Sequence, residues 1–83
     1  MLMQSVKIAE SIGKIQLAAS TYNALGALSA KQSDFISAKL WFEKSLSMYE
    51  SLRDEEAAII TRRNLEQAIA AIEAARRKKE ESP

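Results

Sequence analysis

The sequence predicts an all-α chain, and three observations carry that expectation. Apolar residues make up 47% of the 83 residues and fourteen of them are alanine, the best helix former. There are two glycines and one proline, too few breakers for a hairpin-rich or loop-rich fold. Apolar residues recur at spacings of three and four, and nowhere alternate for long enough to mark a strand. A chain this short makes one domain, residues 1–83, and buries only about 60–65% of the surface its unfolded form exposes, so its core is marginal.

About four helices are expected. Leu2, Val6, Ala9 and Ile12, with Ile8 beside them, mark the face of a first helix that Gly13 closes as a left-handed C-terminal cap. A second pattern through Leu17, Ala18, Thr21, Leu25, Leu28 and Ser29 predicts a helix from Ile15 to Gln32, after which Ser33 and Asp34 offer capping oxygens. Phe35, Ala38, Phe42, Ser45, Leu46 and Tyr49 predict a third helix over Asp34 to Leu52. Asp54 then caps a fourth and longest helix, with Glu55 and Glu56 at the positive end of its dipole and Ala58, Leu65, Ile69, Ile72 and Ala75 along its stripe. Arg76 to Lys79 suit its negative end, and Glu80 and Glu81 are expected to pair back one turn.

Composition excludes several functions. Twelve Lys and Arg against eleven Asp and Glu leave a net charge of +1, and the basic residues are spread among acids except in the run Arg76 to Lys79, which acids follow at once, so no nucleic-acid partner is expected. Without histidine or cysteine, zinc, haem and thiol chemistry lack their usual ligands and the serines lack a general base, so no enzyme, no metal and no cofactor is expected. No segment approaches the roughly 18 apolar residues of a membrane span, and a cytoplasmic location follows by default. Trp41 is expected to pack against a neighbouring helix.

The chain also repeats itself. Ser5, Glu10, Ser11, Ala18, Thr21, Leu25 and Ala30 recur forty residues later as Ser45, Glu50, Ser51, Ala58, Thr61, Leu65 and Ala70, and Val6, Ile8 and Ile12 recur as Leu46, Met48 and Leu52. Within this frame Tyr22, Leu25, Gly26, Ala38 and Phe42 stand at the spacings of an aromatic, a Leu-Gly pair and an Ala-x3-Phe run, and "FISAKLWFEKSL" follows from Phe35 to Leu46. The pattern resembles the tetratricopeptide repeat, in the longer variety with a forty-residue period, although Lys14 stands where that variety has an aspartate after its glycine and Ser45 where the family usually has alanine.

The resemblance implies antiparallel helical hairpins stacked as a short right-handed superhelix. Residues 1–13 would be the second helix of a preceding repeat, residues 15–52 one complete repeat, and residues 54–80 a C-terminal capping helix. Tyr22, Leu25, Gly26, Phe35, Ala38, Phe42 and Leu46 would be its packing signature, with Gly26 allowing the facing helix to approach near Ala38. It also implies a protein–protein interaction module, part of a scaffold or regulator, holding a partner peptide or helix in a concave groove. The groove positions would be Ser20, Asn23, Ala27, Lys31, Ile60, Arg63 and Gln67. Asn23 and Ala27 occupy the places where the chaperone-binding branch has a Lys and an Asn, which argues against that clamp. Two alternatives stand beside this reading. One is a structural module that forms a homodimer, or swaps domains, through open repeat ends; the other is a three-helix domain of the microtubule-interacting and trafficking kind.

Overall fold

The computed structural model describes the backbone of residues 2–81 and the side chains of residues 10–79. It holds three helices: α1 (Leu2–Lys31), α2 (Phe35–Ser51) and α3 (Glu55–Glu81). No strand occurs among the described residues. α2 runs back along α1, with Ser45 against Ala19 and Phe42 against Gly26, and α3 runs back along α2, with Ala68 packed on Phe42. α1 and α3 therefore lie on either side of α2 and barely touch each other. At about 1.5 Å per residue α2 is the shortest of the three, so α1 and α3 overrun it at opposite ends and the molecule measures 68 × 20 × 14 Å.

Both turns share one hydrogen-bond pattern. At the end of α1 the Ser33 amide donates to the Ala30 carbonyl (3.0 Å) and the Asp34 amide to the Ser29 carbonyl (2.8 Å). Twenty residues on, the Arg53 amide donates to Glu50 and the Asp54 amide to Tyr49, both at 3.0 Å. This is the Schellman closure, which requires a left-handed residue at its centre. Ser33 (φ 63°) and Arg53 (φ 56°) occupy that position although neither is glycine. Each aspartate then turns from closing one helix to opening the next: the Asp34 carboxylate accepts from the Ser37 amide (3.2 Å) and the Asp54 carboxylate from the Ala57 amide (3.3 Å). A left-handed conformation costs a non-glycine residue about 1–2 kcal/mol, against the 0.5–1 kcal/mol of entropy that glycine loses on folding. Ser33→Gly and Arg53→Gly are thus each expected to stabilise the chain by about 0.5–1 kcal/mol. Thermal melts should show a rise of a few degrees for each variant, and a fall would contradict the turn geometry.

The break expected at Gly13 is absent, which corrects the helix count from four to three: α1 passes through Gly13 without interruption, and no glycine has a positive φ. The reason lies in the next residue. Asp34 and Asp54 follow the two real turns and satisfy the amides of the helices that begin there, whereas Lys14 follows Gly13 and has no oxygen with which to cap a new helix. Continuing the helix past a glycine costs about 1 kcal/mol, less than opening a new end with its first amides unpaired. The face expected from Leu2, Val6, Ile8 and Ala9, and the pairing expected of Glu80 and Glu81, lie outside the described side chains.

The core is built from small residues. Ala19, Ala38, Ala58, Ala68, Ser45 and Thr61 are buried, and Phe42 is the one large side chain among them, 3% exposed. Small residues let helix axes approach closely, but each contributes little buried apolar area. Ser45 shows why a polar residue can stand where the repeat pattern has alanine: its hydroxyl donates to the Ala19 carbonyl across the α1/α2 contact at 2.7 Å, so its burial leaves no polar atom unpaired.

Candidate functional site: a groove between the outer helices

Because α1 and α3 meet α2 on different sides, a groove opens between them over the first half of α2. Phe35 and Phe42 form its floor; Ala27, Ala30 and Lys31 wall it from α1, and Asn64, Gln67 and Ala68 from α3, around about 340 Å³. At one end the helices are bridged: the Asn64 side-chain amide donates to the Asn23 side-chain oxygen at 3.3 Å. Each amide keeps further hydrogen-bonding capacity, a donor on Asn23 and an acceptor on Asn64. Lys31, exposed in the last turn of α1, brings a positive charge to the rim.

Of the seven groove positions expected from sequence, Ala27, Lys31 and Gln67 line this cavity and Asn23 anchors its end. Ser20, Ile60 and Arg63 are exposed and do not line it, and Ile60 retains 56% of its surface. Asn64 was not among those seven. Both Ile60-Arg63-Gln67 and Ile60-Asn64-Gln67 satisfy a three-and-four spacing, so the pattern alone allows either residue. Arg63 stands forty residues beyond Asn23, but the rotation of α3 on α2, fixed by Ala58, Thr61 and Ala68 pointing inward, turns Asn64 toward α1.

The signature residues divide similarly. Gly26, Ala38 and Phe42 are buried, while Leu25, Phe35 and Leu46 are half-buried. At Gly26, where the facing helix is expected to approach near Ala38, the Phe42 ring, one turn further along α2, lies against the place a Cβ would occupy. Half-buried Tyr22 stacks on Trp41, with ring centroids 5.4 Å apart and planes 15° from parallel, and the Lys44 ammonium lies 5.7 and 5.4 Å from the two centroids. Trp41 thus packs against a neighbouring helix and completes a cation–π cluster with Tyr22 and Lys44.

A larger cavity of about 430 Å³ sits at the α2–α3 turn, lined by Tyr49, Arg53, Asp54, Glu55 and Arg62 among others. Its charges of both signs surround the turn itself, and α1 contributes nothing to it. The groove over Phe35 and Phe42 draws on all three helices and pairs an apolar floor with polar walls, the usual construction of a recognition site. Among the described residues no His/Cys/Asp/Glu group that could hold a metal occurs, and no helix is long and apolar enough to cross a membrane. No family model, curated protein or solved structure matches the chain.

Proposed function

We propose that the chain is a protein-interaction module of tetratricopeptide type that holds a peptide segment of another protein in the groove between α1 and α3. The observation that supports this reading most is the combination of Phe35 and Phe42 on the floor with the Asn23–Asn64 amide pair at the end. An apolar side chain of the peptide would rest on the two rings, its backbone would exchange hydrogen bonds with the amides, and an acidic group would meet Lys31. A second reading is favoured by the presence of three helices: a trafficking-type three-helix domain would grip a partner helix in the same place.

Both readings are tested by selecting peptides from a displayed library against the full chain and titrating the selected ones into isotope-labelled protein. Chemical-shift changes are expected at Ala27, Lys31, Asn64 and Gln67. Lys31→Glu is expected to weaken acidic peptides about tenfold, the loss of one charge-assisted contact, while stability changes by no more than about 0.5 kcal/mol. An extended bound peptide supports the first reading and a helical one the second. Shifts confined to the outer face of α2, around Ile36 and Leu40, or a library that yields no binder, would overturn both.

A further inference from the structure

The side of α1 that faces away from α2 is uncovered. Ala19, Tyr22 and Gly26 meet α2; on the opposite side Gly13, Leu17, Thr21, Ala24 and Leu28 follow one another at spacings of three and four. All five are exposed, Leu17 by 69% and Leu28 by 52%. These five are uncharged; Glu10 lies one turn earlier, Lys31 one turn later, and exposed Lys14 beside the stripe.

The internal repeat indicates what belongs there. Thr61 of α3, forty residues beyond Thr21, is 1% exposed because α2 covers it, whereas Thr21 is exposed; Ala58 is 7% exposed where its counterpart Ala18, beside the stripe, is half-buried. In sequence, residues 2–12 repeat residues 42–52, the stretch of α2 that does the covering. The chain thus carries a second face and, in sequence, a second cover. Since α1 runs unbroken through Gly13, both lie on one rod and cannot meet within a single copy.

We propose that this stripe is a homodimer interface, in which α1 pairs antiparallel with α1 of a second copy. The α2-on-α3 contact sets the register, with Phe42 beside Ala68 and Tyr49 near Ala58. Carried forty residues back, it centres the pair close to Lys14 and Ile15, and an antiparallel pair with one centre is twofold symmetric. Leu17 of each copy then falls opposite Gly13 of the other. A Cβ added at Gly13 meets nothing within 4 Å in a single copy, so within one chain the glycine only weakens the helix; across the dimer its missing side chain receives the leucine. Glu10 falls opposite the hydroxyl residues Ser20 and Thr21 of the second copy, while Lys14, exposed beside the stripe, lies near the twofold centre in both copies. The interface is one helix wide, which places it toward the low end of the roughly 1,200–2,000 Å² of specific complexes, and the dimer is expected to dissociate on dilution.

The test is sedimentation equilibrium of the full chain over a dilution series, with helicity recorded on the same samples. The wild type is expected to fall from twice the chain mass to the chain mass across the micromolar range. Gly13→Leu and Leu17→Glu are expected to remain at the chain mass where the wild type is dimeric. Helicity of Gly13→Leu should hold or rise, because leucine favours helix over glycine and has open space in the single copy; loss of the dimer in that variant cannot then be ascribed to unfolding. Leu40→Glu, at an exposed position on α2 (58%), should dimerise like the wild type. A wild type at the chain mass up to about millimolar concentration, well above the weak end of specific association, would overturn the proposal. So would a Gly13→Leu variant that dimerises as tightly as the wild type, or loss of the dimer in Leu40→Glu. The interface uses no residue that lines the peptide groove, so either proposal can fail without the other.

Discussion

Gly26→Leu is expected to lower the stability of the chain by about 3 kcal/mol or more. A Cβ at this position would lie 2.5 Å from Cε1 and 2.6 Å from Cδ1 of Phe42, far inside van der Waals contact. The ring has little room to yield: it is 3% exposed and packed with Ala38 and Ala68, with Ala30 and Leu65 against the cluster. Alanine at position 26 sets the clash, about 1–3 kcal/mol for overpacking, against a helix-propensity gain of about 1 kcal/mol, and should lower stability by about 1–2 kcal/mol. Leucine adds three more carbons in the same direction and should cost about 3 kcal/mol or more. A domain of this size has only about 4–12 kcal/mol in total, so urea denaturation followed by circular dichroism would show the midpoint of the leucine variant far below that of the wild type. A leucine variant with the wild-type midpoint would mean that α1 and α2 do not meet through this glycine.

Phe42→Ala is expected to cost about 3–5 kcal/mol, the range for emptying an aromatic site in a core. Its weight comes from its surroundings. The other buried side chains are alanines, a serine and a threonine, none long enough to fill the space, and the ring is shared by α1 through Gly26 and by α3 through Ala68. The loss should therefore loosen both helix contacts together. The two sites should also be coupled. In the background of Phe42→Leu, which withdraws the ring from Gly26, Gly26→Ala should become neutral or stabilising, a coupling of at least about 1 kcal/mol in a double-mutant cycle. Additive effects would show that the ring is not the group that Gly26 accommodates.

The helical class, both turns and the close approach at Gly26 were legible because each rests on local chemistry. Alanine-rich segments with three-and-four spacing have no competing strand pattern, and Asp34 and Asp54 announce helix starts wherever the chain places them. The glycine was legible for a different reason: inside a helix it has a cost, and at position 26 the cost is answered by a packed ring. The same reasoning at Gly13 predicted a cap, and there it failed. A glycine permits a left-handed turn but does not compel one, and Ser33 and Arg53 adopt that conformation without being glycine because capping aspartates follow them.

The candidate groove was legible in part. Ala27, Lys31 and Gln67 were placed by the repeat frame and line the cavity. Arg63 and Asn64 stand side by side in sequence, and a rotation of about 100° separates neighbouring side chains on a helix, so a small turn of α3 about its axis decides which of them reaches Asn23. That rotation is set by how Ala58, Thr61 and Ala68 settle against α2, through contacts between residues distant along the chain.

The sequence by itself determined what each segment can do alone: which stretches are helical, where a capping oxygen allows a new helix to begin, and where a missing side chain leaves room. Only the tertiary structure decided that α1 is a single rod through Gly13, that the Phe42 ring is the group lying against Gly26, and that Asn64 rather than Arg63 joins Asn23. Each of these outcomes turns on a comparison between two arrangements that local pattern allows equally. The difference arises only when helices touch, because packing of side chains at contact distance and pairing of buried polar groups are properties of the assembled core.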